Sequence, residues 1–308
     1  MIKLIRMRSI AMFVSVIVPT FAAAAGNRQD APPLVSLEQL QGRLNDAKVR
    51  ILDARPRADY DRGHIPGAIW ADYQPFKDLT RAEAIRNRAA WARALAPLGL
   101  SPEVEEVYVY DAARQHDAAR LWWLLSYAGV KKVGLVDGGF GLWEKEHRPV
   151  TSETTVAKPA DFVPEFQAQR VATRDDVRAV SRGGAAQLLD ARGAEEYRGD
   201  KVAKGQRAGG HIPGARSLDG YSLVDEDGRF RKPEEQRQLL TESGITVDRP
   251  VIAYSNGGAR SAPSRLSGSA LLCGTTSRAC PNGRATRRHP SPRAEKLATR
   301  PGKCPGPS

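Results

Sequence analysis

Cysteine is scarce in this sequence of 308 residues. The three that occur, Cys273, Cys280 and Cys304, all lie near the carboxyl terminus. Their spacing matches no zinc-binding pattern, so we expect no metal ion. Because no thiol precedes Cys273, the long segment before it cannot use a cysteine nucleophile.

Apolar runs long enough to cross a bilayer are also missing. The apolar stretch at residues 9–21 follows three basic residues and precedes four alanines at 22–25. This order is typical of a secretory signal peptide, so we expect residues 1–25 to be cleaved and the mature protein to be periplasmic or secreted. The alternative, an uncleaved membrane anchor, is disfavoured because the run is short for a spanning helix. After cleavage we expect no membrane association.

Positive charge is not spread over the whole chain. The formal net charge is +12, but residues 1–25 carry three basic residues, and residues 265–308 carry nine basic residues against one acid, Glu295. Residues 26–264 therefore keep a net charge of about +1. A nearly neutral body lacks the basic surface that nucleic acid requires, so we expect no nucleic-acid partner.

What the sequence does contain is an internal repeat. The stretch "ILDARPRADYDRGHIPGAIW" at 51–70 returns as "LLDARGAEEYRGDKVAKGQRAGGHIPGARSL" at 188–218. Further along, "VYVYDAARQHDAARLWWLL" at 107–125 returns as "VIAYSNGGARSAPSRLSG" at 251–268. The chain therefore holds two copies of one structural unit.

Each copy predicts a helix, a buried strand ending in Asp-Ala-Arg, a second apolar strand, a turn and another helix. This alternation is typical of α/β domains, in which helices flank a parallel sheet. We place domain 1 at 35–150, a polar linker with two prolines at 151–170, and domain 2 at 171–264.

Local signals mark where helices begin. Ser36 precedes Gln39, and Thr173 precedes Asp176, so each pair has the spacing of a capping box. Apolar residues within 118–125 recur with the helical period, which predicts a buried helix there.

The repeated motifs resemble the tandem rhodanese family, the thiosulfate and 3-mercaptopyruvate sulfurtransferases. The resemblance covers about residues 35–262 and also rests on "VDGGFGLWEKEHRPV" at 136–150. It implies that domain 1 is catalytically silent, with Asp111 at its loop position, and that domain 2 carries the active loop. In the family, a loop cysteine takes up sulfane sulfur as a persulfide and passes it on. The implied donor is a small anion, thiosulfate or mercaptopyruvate, and the acceptor is cyanide or a thiol, with no cofactor.

Ser255 stands where the family has its cysteine. A strand that runs into a Gly-rich turn and then a helix points backbone N–H groups at one spot, which favours an anion. We assign this anion-binding loop to the residues after Ser255, namely Asn256, Gly257, Gly258, Ala259 and Arg260. A serine hydroxyl cannot form a persulfide, and we find no histidine in the sequence to complete a serine triad. We therefore expect no sulfur transfer; the alternative is a non-catalytic module that binds a sulfur oxyanion or a partner protein.

The other conspicuous polar residues have simpler interpretations. Asp53 and Asp190 are expected to brace the loops after their strands rather than to catalyse. Arg192 either contacts the substrate or forms a structural ion pair. His64 and His211 precede Ile-Pro-Gly turns, and we expect them to be hydrogen-bonded turn residues.

The carboxyl-terminal segment lacks the features that complete domain 1. Residues 129–150 predict a further strand and a closing helix, whereas 265–308 has no β-branched apolar run. Pro263 and Gly268 interrupt the helix expected after the loop. We therefore expect domain 2 to lack its last strand and helix. The segment 265–308 is then either a disordered basic tail or the product of a frameshift near residues 262–266.

Overall fold

The computed structural model describes residues 33–80, 84–202, 209–246, 248–256, 261 and 270–272. These residues form the two α/β domains that the repeat predicts. In domain 1 the strands are β1 (Leu34–Val35), β2 (Val49–Asp53), β3 (Ile69–Trp70), β4 (Glu106–Tyr110) and β5 (Val133–Val136). Its helices are α1 (Leu37–Gln41), α2 (Arg57–Arg62), α3 (Gln74–Leu79), α4 (Arg88–Leu95), α5 (His116–Tyr127) and α6 (Gly139–Lys145).

The sheet of domain 1 is parallel throughout, in the order β1-β5-β4-β2-β3. Its central strand β4 is rich in valine and tyrosine, and four of its five residues are buried. Such strands belong to sheets that are covered on both faces. The carboxyl end of β4 leads directly to Asp111, so the fold delivers this residue to the edge where α/β proteins bind ligands.

Both predicted capping boxes are present. The Ser36 hydroxyl accepts a hydrogen bond from the amide of Gln39, and the Gln39 side chain accepts one from the amide of Ser36. Thr173 and Asp176 form the same reciprocal pair. The apolar residues that recur with the helical period at 118–125 lie within α5, where nine of the twelve residues are buried. These helix predictions are confirmed.

Domain 2 repeats the same topology. Its strands are β6 (Val171–Ala172), β7 (Gln187–Asp190), β8 (Arg216–Ser217), β9 (Val251–Tyr254) and β10 (Ala270–Leu272). Its helices are α7 (Arg174–Ser181), α8 (Ala194–Arg198) and α9 (Pro233–Glu242). The strand order β6-β10-β9-β7-β8 matches that of domain 1 position by position, so β9 stands where β4 stands.

The expectation that domain 2 lacks its last strand is wrong. The strand β10 pairs in parallel with both β6 and β9, which is the place of β5 in domain 1. Sequence reasoning sought a β-branched run further along the chain, whereas three alanine and leucine residues are enough to join a sheet with a neighbour on each side. The predicted tail at 265–308 overlaps β10 at residues 270–272. The other residues of that tail, the expected loss of the last helix and the signal peptide at 1–25 lie outside the described residues.

The predicted linker packs closely on domain 1. The amides of Ala160, Glu165 and Gln167 donate to carbonyls of domain 1 at 3.1, 2.8 and 2.9 Å. Phe166 lies edge-on to Trp91, with ring centroids 5.8 Å apart. The segment therefore behaves as part of the domain surface, despite its polar composition.

A turn of domain 2 joins the two domains. Val224 and Phe230 form an isolated antiparallel bridge, and the intervening residues 225–229 bend toward domain 1. We call residues 224–230 the docking turn. The amide of Phe230 donates to the Asp137 carboxylate at 2.8 Å, and Lys145 forms an ion pair with Asp227 at 2.6 Å. None of the helices in the described part of the chain is both long and apolar enough to cross a membrane.

Candidate functional site

The matched loops of the two domains begin at Asp111 and Ser255. Each residue directly follows the strand at the same position of its sheet, and each side chain is buried. The carboxylate of Asp111 accepts three backbone amides. Oδ1 accepts from Gln115 at 3.1 Å, while Oδ2 accepts from Asp117 at 3.0 Å and from Ala118 at 3.2 Å.

These three donors make the loop of domain 1 a filled anion cradle. Asp117 and Ala118 belong to the first turn of α5, where amides have no partner within the helix. The carboxylate supplies one, and its negative charge also suits the positive end of the helix dipole. Burial raises the pKa of Asp111, although the amides of Ala118 and Gln115 act in the opposite direction.

Gln115 completes the cradle and connects it to domain 2. Its backbone is left-handed, with φ of 59°, which is uncommon for a residue other than glycine. Its fully buried side chain donates from Nε2 to the carbonyl of Val136 at 2.8 Å and to that of Gly228 at 3.1 Å. The loop of domain 1 is therefore closed by its own carboxylate and covered by the docking turn.

The loop of domain 2 begins with a hydroxyl where domain 1 has a carboxylate. Ser255 is 4% exposed, and its Oγ lies 3.4 Å from the Oγ of Ser261, which is also buried. Ser261 occupies the position that Asp117 occupies in domain 1. The predicted loop residues Gly257, Gly258, Ala259 and Arg260 lie outside the described residues.

Asn256 follows Ser255 and contacts a buried acid. Its Nδ2 donates to Oε1 of Glu196, a residue of α8 that is 8% exposed. Sequence analysis predicted Asn256 as a loop residue but did not find Glu196. No local pattern separates Glu196 from the exposed Glu195 beside it, because α8 is too short to show a helical period.

Arg192 forms a buried ion pair with Asp190. Its guanidinium donates to both carboxylate oxygens, with Nη2 2.6 Å from Oδ2, and also to the carbonyl of Gly210 at 2.8 Å. Burial lowers the pKa of Arg192, but the bonds to Asp190 outweigh this, so that its pKa is raised overall. Asp53 and Arg55 form the same pair in domain 1. Both aspartates thus brace the loops after their strands.

The two histidines of the repeated motif hold their turns. His64 Nδ1 and the carbonyl of Tyr60 are 2.8 Å apart, and the same distance separates His211 Nδ1 from the carbonyl of Tyr197. In each domain the two rings stack with centroids 3.7 Å apart. These are the hydrogen-bonded turn residues that the sequence predicts.

Comparison with known proteins agrees with this arrangement. The family model for the rhodanese-like domain matches residues 36–146 and 173–277. The chain belongs to the rhodanese-like family. Its second rhodanese-like match extends past residue 264 and includes β10, in agreement with the five-stranded sheet.

Named relatives of this rhodanese-like chain are sulfur-handling proteins. It is 35% identical to the sulfur carrier protein TtuD of Thermus thermophilus over 234 residues, which cover 72% of this chain and 81% of the relative. It is 29% identical to the thiosulfate sulfurtransferase of Cricetulus griseus, over 73% of this chain and 80% of that relative. The solved 3-mercaptopyruvate sulfotransferase of Escherichia coli superimposes with a TM-score of 0.67 at 25% identity, covering 79% of this chain and 98% of that one.

A histidine–carboxylate cluster lies beside the loop of rhodanese-like domain 1. Asp111, His116 and Asp117 bring potential metal-ligand atoms within 4.8 Å of one another. However, Asp111 is committed to backbone amides, and Asp117 pairs with both His116 and Arg120. Because these partners occupy the carboxylate oxygens, the cluster is better described as an ion-pair network than as a metal centre.

Proposed function

We propose that this rhodanese-like chain binds a small sulfur oxyanion in the loop of domain 2 and does not transfer sulfur. Sulfur transfer in the family requires a cysteine that holds the sulfur as a persulfide. Ser255 stands at that position, and a hydroxyl oxygen cannot form the sulfur–sulfur bond. The three cysteines of the chain, at 273, 280 and 304, lie beyond the matched loop.

The observation that carries the anion-binding proposal is the filled cradle of domain 1. There the matched turn holds the Asp111 carboxylate with three backbone amides. Ser255 has no carboxylate, and on this proposal an external anion takes the equivalent point. Buried amides that meet an anion form stronger hydrogen bonds than those that meet a neutral group, so a thiosulfate-like ligand suits such a turn.

The test compares the unaltered chain with Ser255→Cys. The unaltered chain should produce no thiocyanate from thiosulfate and cyanide above background, yet thiosulfate should bind it in a calorimetric titration. In Ser255→Cys, the new thiolate should take the outer sulfur of thiosulfate and release sulfite. Cyanide should then remove that sulfur as thiocyanate and restore the thiolate, giving at most weak turnover.

A matched control removes the thiols near the carboxyl terminus. Both proteins are also assayed with serine at 273, 280 and 304, so that these cysteines cannot contribute a signal. Robust turnover by the unaltered chain would refute the proposal, and so would the absence of any anion binding. Titration with mercaptopyruvate under the same conditions decides which of the two donors fits better.

We further propose that the protein acts outside the cytoplasm, after cleavage near Ala25. The basic, apolar and alanine-rich order of residues 1–25 supports this. Amino-terminal sequencing of the exported protein should begin close to Gly26, and an exported protein that still begins at Met1 would contradict the proposal.

A further inference from the structure

Gln115 has a backbone conformation that few residues other than glycine adopt. Its φ of 59° lies in the left-handed region, where a Cβ atom crowds the following carbonyl oxygen. Among the described residues, only His147 shares this combination of a positive φ and a side chain. Glycine would adopt the conformation without strain. Gln115 therefore keeps it because its contacts compensate for the strain, and those contacts indicate what the side chain does.

Four hydrogen bonds hold Gln115 in place. Its amide donates to Oδ1 of Asp111 at 3.1 Å, and its carbonyl accepts from the amide of Ala119 at 3.0 Å. Its side-chain Nε2 donates to the carbonyl of Val136 at 2.8 Å and to that of Gly228 at 3.1 Å. Three of these partners belong to domain 1, whereas Gly228 belongs to the docking turn of domain 2. The strained backbone of the loop is thus supported in part by the other domain.

The docking turn also lies against the backbone of the loop. A Cβ atom at Gly228 would come within 2.2 Å of the carbonyl oxygen of Ala113, so the two backbones leave no room between them. Ala113 lies between Asp111 and Gln115, within the loop that the Asp111 carboxylate closes. Because both contacts involve Gly228, displacement of the turn would remove the hydrogen bond and the backbone support together.

We propose that the docking turn is a strap that holds the loop of domain 1 closed, and that Gln115 links the two. While the turn is in place, the bond to Gly228 supports the left-handed backbone, and the Gln115 amide stays on Asp111. When the turn lifts, Gln115 relaxes to a right-handed conformation, and the Asp111 carboxylate loses a donor. The loop then has two states, and the relative position of the domains selects between them. This inference does not depend on anion binding by domain 2.

Such coupling acts in both directions, because linkage between two sites is reciprocal. Loosening the turn should open the cradle, and weakening Gln115 should free the turn. Hydrogen exchange followed by NMR in the full-length protein measures both effects. The amides of Asp117 and Ala118, which donate to the Asp111 carboxylate, report on the cradle. The amide of Phe230, whose acceptor is the Asp137 carboxylate across the interface, reports on the turn.

The first variant is Gln115→Asn. Asparagine tolerates a left-handed backbone better than most residues, but its side chain is one methylene too short to reach Gly228. Loss of that hydrogen bond should speed exchange of the Phe230 amide about tenfold. The matched control is Gln74→Asn, the same shortening on an exposed helical residue, which should leave that rate unchanged. If Gln115 acted only within domain 1, the Phe230 amide would keep its rate in both variants.

The second variant, Gly228→Ala, perturbs the turn and leaves the cradle residues intact. The amides of Asp117 and Ala118 should exchange about tenfold faster through local opening, which is recognised because low concentrations of urea do not change its rate. Gly214→Ala is the control, since it adds a Cβ atom at a similar φ but meets no neighbour within 4 Å. There the cradle amides should keep their rates.

Two results would overturn the inference. One is an unchanged Phe230 rate in Gln115→Asn. The other is a Gly228→Ala protein in which the turn exchanges faster while the amides of Asp117 and Ala118 do not. Circular dichroism checks that each variant is folded, and if Gly228→Ala fails to fold, the Phe230 rate in Gln115→Asn decides alone.

Discussion

At the scale of single residues, Asp111 and Ser255 occupy the same place in two copies of one turn. The carboxylate of Asp111 fills its cradle from within, whereas the hydroxyl of Ser255 carries no charge and reaches Ser261 at 3.4 Å. Domain 2 therefore places no carboxylate at the point that Asp111 fills in domain 1.

The first prediction concerns Asp111→Asn. The amide offers a single acceptor oxygen for three backbone donors, so the variant should lose about 1–3 kcal/mol of stability at neutral pH. The pKa of Asp111 is raised by burial in the folded state, which means that folding is favoured by its protonation. The stability that depends on this group is therefore fully present below the unfolded pKa of about 4 and declines as pH rises through the folded pKa.

Urea unfolding of both proteins between pH 4 and pH 7 measures this effect. The gap in the free energy of unfolding between the unaltered protein and Asp111→Asn should narrow as pH rises. A gap that widens over this range would mean that the folded state prefers the ionised carboxylate, in contradiction to the prediction.

At the scale of elements, the second prediction concerns a substitution in the docking turn. Gly228 has φ of +77°, and a Cβ atom there would overlap the backbone carbonyl of Ala113 in domain 1. Gly228→Ala should therefore destabilise the protein by about 3 kcal/mol, because neither backbone can move aside easily. It should also weaken the hydrogen bond from Gln115 that joins the two domains.

Gly214 provides a matched control for that substitution. Its φ of +83° is similar, but a Cβ atom there would meet nothing within 4 Å. Gly214→Ala should lower the free energy of unfolding by about 1 kcal/mol, because only the strain of a left-handed backbone at a residue with a Cβ atom is added. Thermal unfolding of both variants measures the difference, and equal losses would show that contact with Ala113 is unimportant.

Sequence patterns predicted the elements better than the contacts between them. The capping box at Ser36 depends on residues three positions apart, so it could be found in the sequence and is present. The contact between Glu196 and Asn256 joins residues 60 positions apart, and no local period marks it. The strand β10 was missed because its pairing with β6 and β9, rather than its own composition, decides its structure.

At the scale of the whole molecule, the two domains share one apolar core. A single cluster of buried residues contains Leu121 and Leu125 of domain 1 together with Phe230, Leu240 and Val251 of domain 2. Phe230 reaches this cluster through the docking turn, and the closely packed linker adds Phe166 to its edge. Each Å² of buried apolar surface contributes about 25 cal/mol of stabilisation, so separating the two domains and exposing this core is costly.

The last prediction is that both domains unfold in one transition. All five tryptophans, at positions 70, 91, 122, 123 and 143, lie in domain 1, so their fluorescence reports on that domain and on the shared core. Far-ultraviolet circular dichroism reports on the helices and strands of both domains. Because the shared core is exposed when either domain opens, the two signals should follow the same urea curve, with midpoints that coincide within error. A circular dichroism transition that persists after the tryptophans are exposed would mean that domain 2 folds independently of domain 1.

Gly228→Ala is the variant most suited to expose such independence, because it loosens the docking turn without altering either sheet. If the core couples the domains, its two curves should shift together to lower urea concentration.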